Sequence, residues 1–254
     1  MDKVILFDFD ILSFNGVTKS LLSVKPFLSL MKEPEIVLGY TKAYLLRKRK
    51  LSKLTILPIE TISDFLKELE KEPTPYIKNE FSKQKHSAGD PVSVFGSFKS
   101  AISYVVCRAL KPDVIVETGV KDGVSTTYIL TALKLNNRGH LYSIDLHDPV
   151  LPKDIKTGWI VPENLKNRWS LIEGKSSEQL PPLLKQLNQI DVFQHDSEHS
   201  YENMLYEYET AWKHIREGGI LLSDDIRMND AWRDFNKNRT SVYNFYSFGA
   251  SAKR

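Results

Sequence analysis

From about residue 91 the chain alternates short apolar runs with helix-period segments, and this alternation narrows its fold more than any other feature. "DVIVETG" (Asp113 to Gly119), "HLYSID" (His140 to Asp145), "WSLIEG" (Trp169 to Gly174), "IDVFQ" (Ile190 to Gln194) and "GILLSDD" read as five strands of the buried parallel type. Between them, "STTYILTALKL" (Ser125 to Leu135), "SEQLPPLLKQL" and "YENMLYEYETAWKHIR" (Tyr201 to Arg216) read as helices. Strands separated by helices or crossovers predict an α/β, Rossmann-like fold, a mainly parallel doubly wound sheet whose ligands bind beyond the carboxyl ends of the strands.

Details of the pattern set further expectations. Met204, Leu205, Tyr208, Ala211, Trp212 and Ile215 form a single apolar helix face, which Gly218-Gly219 should end. The prolines of "SEQLPPLLKQL" should interrupt the first turns of that helix, and Ser200 with Asn203 should cap the helix after the fourth strand. The C-terminal "SVYNFYSFGASAKR" offers one closing strand.

Residues 1–90 read differently and predict an N-terminal extension, helical and mixed, that serves as a lid or a homo-oligomer contact. "KVILFDFDILSF" alternates like a strand. "VKPFLSLMKEPEIVLGYTKAYLLRKRK" mixes short helical patterns with two prolines, and "ETISDFLKELEKEP" is a helix opened by Thr61 and stopped near Pro73. "KNEFSKQKHSAGDP" is polar, with Gly and Pro, and reads as a linker or loop before the sheet domain of residues 91–254.

Composition closes off other classes. An apolar content of 41% over 254 residues is enough for a full core, and a net charge of +3 (35 Lys and Arg against 32 Asp and Glu) calls for no nucleic acid. The basic run Arg47 to Lys50 is a solvated helix face or an attractor for an anionic acceptor. The single cysteine, Cys107, excludes an internal disulfide framework. With neither a signal-peptide pattern nor an apolar run of membrane length, the expectation is a cytoplasmic protein with no membrane span.

If ligands gather at the strand ends, the residues there define the site. They are Glu117-Thr118-Gly119, Asp145, Gly174-Lys175-Ser176, Asp196 with His199, and Ser223-Asp224-Asp225. Gly119 and Gly123 let backbone approach a ligand closely, but Lys121 breaks the dinucleotide fingerprint G-x-G-x-x-G. Glu117 would repel a pyrophosphate and suits a cationic ligand. Asp145, 28 residues further on, is placed to accept the hydroxyls of a ribose, and Gly174 with Ser176 could line an adenine pocket.

These residues carry a resemblance. The chain from about 91 to 240 resembles the class I S-adenosylmethionine-dependent methyltransferases through "VIVETGVKDGVST", "LYSID", "LIEGKSSEQLPPL", "IDVFQHDSEHSYENMLYEYETAWKHIREGGILLSDDI" and "NDAWRDF". The fourth block is similar to a subgroup with D-x-x-H-S/T-Y-E after the fourth strand and an acid pair after the fifth. The resemblance implies that Glu117, Gly119 and Gly123 hold the methionine moiety and Asp145 the ribose, with Ser125 and Ser176 as further cofactor contacts. Lys121 and Lys175 depart from the pattern.

The similar sugar and catechol O-methyltransferases imply more. In them, such carboxylates hold a divalent metal that binds the acceptor hydroxyl while a histidine or lysine acts as base. Carried over by motif, Asp196, Asp224 and Asp225 become metal ligands and His199 the base, with Asp196 beside it. Oxygen ligation favours Mg²⁺ over zinc. The acceptor implied is a hydroxyl on a small molecule or glycan.

Alternatives stay open on the residues alone. Asp196 and Asp224 could orient polar groups without a metal, and His199 could be purely structural. His195 should face away from Asp196, while Glu198 and Glu202 should be solvated. The whole could be a module that binds S-adenosylmethionine without turnover. "VILFDFD" also mimics the D-x-D start of haloacid-dehalogenase-like phosphatases, with Asp8 as nucleophile and Asp10 as acid, though Ile11-Leu12 replaces the usual Gly-Thr.

Overall fold

A computed structural model describes residues 34–83, 94–146 and 156–254. The chain divides into two compact units, Met1–Lys42 and Ala43–Arg254. The first is described only through the start of helix α1 (Pro34–Thr55). The strand read in "KVILFDFDILSF" and the pair Asp8 and Asp10 lie outside the described residues. The second unit takes in the boundary expected at residue 90, so the helices before that point belong with the sheet.

Helix α1 is one element of 22 residues where short patterns were expected. Pro34 does not break it, because a first-turn residue needs no amide proton. Helix α2 (Ile59–Glu68) begins before Thr61 and stops before Pro73, and α3 (Thr74–Lys83) takes over part of the expected linker. Pro75 again sits in a first turn, and the buried Ile77 anchors α3. The rest of that stretch lies outside the described residues.

The remaining elements follow the predicted alternation. They are α4 (Val94–Leu110), β1 (Val114–Thr118), α5 (Val124–Asn136), β2 (His140–Asp145), β3 (Trp169–Glu173), α6 (Ser176–Leu187), β4 (Ile190–His195), α7 (Tyr201–His214), β5 (Ile215–Ser223), α8 (Ala231–Phe235), β6 (Val242–Phe245) and β7 (Phe248–Ala252). The sheet order is β3-β2-β1-β4-β5-β7-β6. Strands β1 to β5 are parallel and β7 lies antiparallel against β5, which gives the Rossmann-like architecture read from the sequence.

Three expectations are corrected here. The C-terminus holds a hairpin, not one strand: Phe245 pairs with Phe248 across Tyr246 and Ser247, and Tyr246 takes a φ of 66°. Gly218-Gly219 does not end α7, which stops at His214. The two glycines lie inside β5, where the register slips between Ile190 and Val192 of β4. Gly218 has a φ of 78°, and a Cβ on Gly219 would lie 2.6 Å from the Asp191 carbonyl, so this irregularity needs them. Pro181 and Pro182 sit inside α6 without interrupting it. The Ser177 carbonyl, which Pro181 leaves without an amide donor, accepts the Tyr206 hydroxyl at 3.1 Å.

Val116, Phe193 and Leu221 of the central strands pack with Leu180 and Leu184 of α6 and with Met204, Tyr208 and Ala211 of α7. Burying each large apolar side chain contributes roughly 1.5–3 kcal/mol, and this core fixes the strand ends relative to one another. Among the described residues, no helix is long and apolar enough to cross a membrane.

Candidate functional site

Pairing continues one residue past the strands and sets the site's edge. Gly174 N–H donates to the Asp145 carbonyl (3.0 Å), Gly119 to Ile144 (2.9 Å), Asp196 to Thr118 (2.8 Å) and Asp224 to His195 (2.9 Å). The strand ends picked out in the sequence therefore stand side by side along one edge of the sheet.

The turn after β1 is tightly drawn. Gly119 has a φ of 85°, and a Cβ there would lie 1.9 Å from the Asp196 carbonyl oxygen, so only glycine lets the β1 turn meet the β4 end. The amides of Val120 and Lys121 donate to Asp145 Oδ2 at 2.8 and 2.6 Å. One oxygen of Asp145 thus holds the turn, and Oδ1 is left for a ligand. Gly123, with a φ of 92°, caps α5 and abuts Gly158, while Ser125 lies half-buried in the first turn of that helix.

Glu117, expected to hold the methionine moiety, stands at the end of β1. Its side chain is wholly buried behind the turn, where Thr126 and Ser143 hydroxyls donate to Oε1 and Oε2 has no partner. Burial pushes its carboxyl up to about 7 against the pull of those hydroxyls, and the charge of Asp145 adds to the rise. Ser176 begins α6, with Oγ 3.5 Å from Asn203 Oδ1, and Gly174 leaves room for the Gln179 side chain.

At the ends of β4 and β5, Asp196, His199 and Asp224 bring one donor atom each to within 4.8 Å of one another. His199 Nε2 is 3.8 Å from Asp196 Oδ1, is buried, and makes no hydrogen bond. Burial pushes the imidazole below its usual range and neighbouring His195 adds to this, so the neutral ring is favoured. Burial, then Asp224, holds the Asp196 carboxyl well above the usual range, with Lys99 opposing.

Asp225, the remaining residue of the expected ligand set, lies outside this trio. The backbone turns at Asp225 (φ 47°), whose N–H donates to Asp224 Oδ1, and its carboxylate faces Lys99. Lys99 of α4 reaches Asp224 Oδ1 at 2.5 Å and Asp225 Oδ1 at 3.1 Å. It was missed in the sequence because it lies more than a hundred residues away, one lysine in a mostly apolar helix.

The second residue missed is Glu207. Fully buried on α7, it accepts Thr118 Oγ1 and His195 Nδ1 at Oε2, and Ser197 Oγ and Asn203 Nδ2 at Oε1. An ionised carboxylate only accepts, so the proton of that His195 bond sits on Nδ1. The His195 ring in turn meets His199 edge-on at 5.3 Å. Ser200 caps α7 through the Asn203 amide, and Glu198 and Glu202 are exposed, also as expected. Glu207 gave no sequence signal beyond an acid at an inward helix position.

A cavity of about 410 Å³ lies at the opposite ends of the strands, lined by Asp113, Arg138, Asp191 and Arg216. Arg138 pairs there with Asp113 and Arg216 with Asp191, and Asp191 also accepts the amides of Asp113 and Val114. It is a structural cleft. The carboxyl edge, by contrast, offers two carboxylates and an imidazole whose buried Nε2 is unbonded, a donor set that fits a small hard cation. The Asp145 oxygen that the turn amides do not use fits an adenosyl cofactor, which needs a ribose acceptor at this strand end.

Residues 116–226 match a family described as "Methyltransferase domain". No curated protein matches the chain. Among solved structures it is similar to cofactor-bound Rv0187 from MTB (15% identity, 72% of this chain and 99% of that one, TM-score 0.45). It is likewise similar to the SAH-bound Podospora anserina methyltransferase PaMTH1 (13%, 78% and 89%, 0.46) and to CalS11, a calicheamicin methyltransferase (17%, 76% and 91%, 0.48).

Proposed function

We propose, from the match of residues 116–226 to a family described as "Methyltransferase domain", that the chain moves the methyl group of S-adenosylmethionine to a hydroxyl of a small molecule or glycan, with His199 as base. The observation that carries this reading is the buried, unbonded Nε2 of His199 beside Asp196 and Asp224 at the carboxyl edge of the sheet. A neutral imidazole in that position accepts a proton, and an alcohol of high pKa needs such a base more than an amine does.

The cofactor supplies an electrophilic methyl on a positive sulfonium. Gly119 and Gly123 let the chain approach it, Asp145 Oδ1 accepts from the ribose, and Ser125, Gly174 and Ser176 line the neighbouring edge. A Mg²⁺ or similar cation held by the carboxylates of Asp196 and Asp224 would lower the pKa of an acceptor hydroxyl. His199, whose Nε2 stays unbonded beside Asp196, would take the proton of that hydroxyl. Holding the acceptor oxygen in line with the methyl provides much of the acceleration.

Transfer of labelled methyl from S-adenosylmethionine across a panel of sugar and phenol acceptors tests the reading. His199→Ala should lower turnover by roughly 10²–10⁴-fold while cofactor binding survives. Transfer at the wild-type rate by His199→Ala would remove the base assignment.

A further inference from the structure

We infer that Lys99, the internal counter-ion of Asp224 and Asp225, competes with the divalent cation for Asp224, and so sets how readily the site takes a metal. This rests on the cation reading of the site given above. The ammonium lies 2.5 Å from Asp224 Oδ1 and 3.1 Å from Asp225 Oδ1, with 18% of the lysine side chain and 11% of the Asp224 side chain exposed. Asp224 is at the same time one corner of the trio with Asp196 and His199.

One carboxylate therefore belongs to two cation sites at once. A protonated lysine has three donors and no lone pair, so it neutralises acids without being able to join a metal's ligand shell. Two positive charges a few ångströms apart in a half-buried cleft repel strongly. Ammonium and divalent ion are thus alternatives. The Asp225 amide, which donates to Asp224 Oδ1, keeps the acid pair in place under either one.

The arrangement has two consequences. Without a metal, Lys99 keeps Asp224 and Asp225 from driving the strand end apart. With one, the flexible lysine stem must carry its ammonium off Asp224, so the free energy of displacing it weakens apparent metal affinity. Lys99 acts through the carboxylates and is a positioning residue.

Mn²⁺ titrations of the full chain, read from the electron paramagnetic resonance signal of free Mn²⁺, test this without any acceptor or turnover. Lys99→Met and Lys99→Gln, two neutral variants checked for wild-type circular dichroism, should each bind Mn²⁺ at least about tenfold more tightly than the wild type. Lys99→Arg, which keeps the charge, should bind no more tightly than the wild type. Equal or weaker binding by the neutral variants, with binding abolished by Asp196→Asn in both backgrounds, would overturn the competition while leaving the metal site standing. Absence of Mn²⁺ binding in wild type and neutral variants alike would overturn the cation reading itself, and the competition with it.

Discussion

His195 Nδ1 lies 2.7 Å from Glu207 Oε2, and neither side chain has any exposed surface. Because Thr118, Ser197 and Asn203 also donate to Glu207, this one carboxylate ties the end of β1, the end of β4 and the start of α7 to the wall behind His199. Removing it leaves several buried donors without an acceptor. Glu207→Ala should cost roughly 3–5 kcal/mol in urea unfolding, and Glu207→Gln nearly as much, since its amide group turns a donor toward donors.

The same residue sets a pH trend. Although burial acts to raise it, the bond and charge of His195 and the hydroxyls of Ser176 and Ser197 bring the Glu207 carboxyl below its ordinary value. A depressed carboxylate contributes stability above its unfolded pKa and loses it as pH falls through the folded one. Acid unfolding should therefore steepen below about pH 4.5 in the wild type, and Glu207→Gln should flatten that limb.

Glu117 has the opposite sign. Its folded value is about 7, raised above the unfolded one, so its stabilising share is complete below the unfolded value and lost as pH rises through 7. Between pH 4.5 and 7 the loss approaches roughly 3 kcal/mol. Glu117→Gln keeps the shape and cannot ionise. It should unfold at a higher urea concentration than the wild type at pH 8 and show no such slope.

Gly119→Ala tests the close approach of the β1 turn to Asp196. With a φ of 85° and a Cβ 1.9 Å from a carbonyl oxygen, alanine forces the two strand ends apart. Chemical denaturation should show a loss of about 2 kcal/mol or more, with cofactor affinity falling as well.

The sheet was legible because buried parallel strands are written as apolar runs, and "HLYSID" gave β2 at its actual bounds. What escaped depended on local exceptions or distant partners. The β6–β7 turn uses Tyr246 at positive φ, a position where glycine or asparagine is the usual signal. Gly218-Gly219 looks the same in sequence whether it stops a helix or allows a strand irregularity. Asp196 and His199 stood out by their spacing, whereas Lys99 joins the cluster only through the packing of α4, and Asp225 leaves it because the backbone turns there.

The central claim is that the carboxyl edge binds an adenosyl methyl donor, and calorimetric titration of S-adenosylhomocysteine into the full chain tests it most directly. One saturable site should appear in the wild type and persist in His199→Ala. In Asp145→Ala, which loses the ribose acceptor and the hold on the Val120 and Lys121 amides, binding should weaken by about 100-fold or more. A folded wild type that gives no binding heat, or an Asp145→Ala variant that binds as tightly as the wild type, would contradict the account.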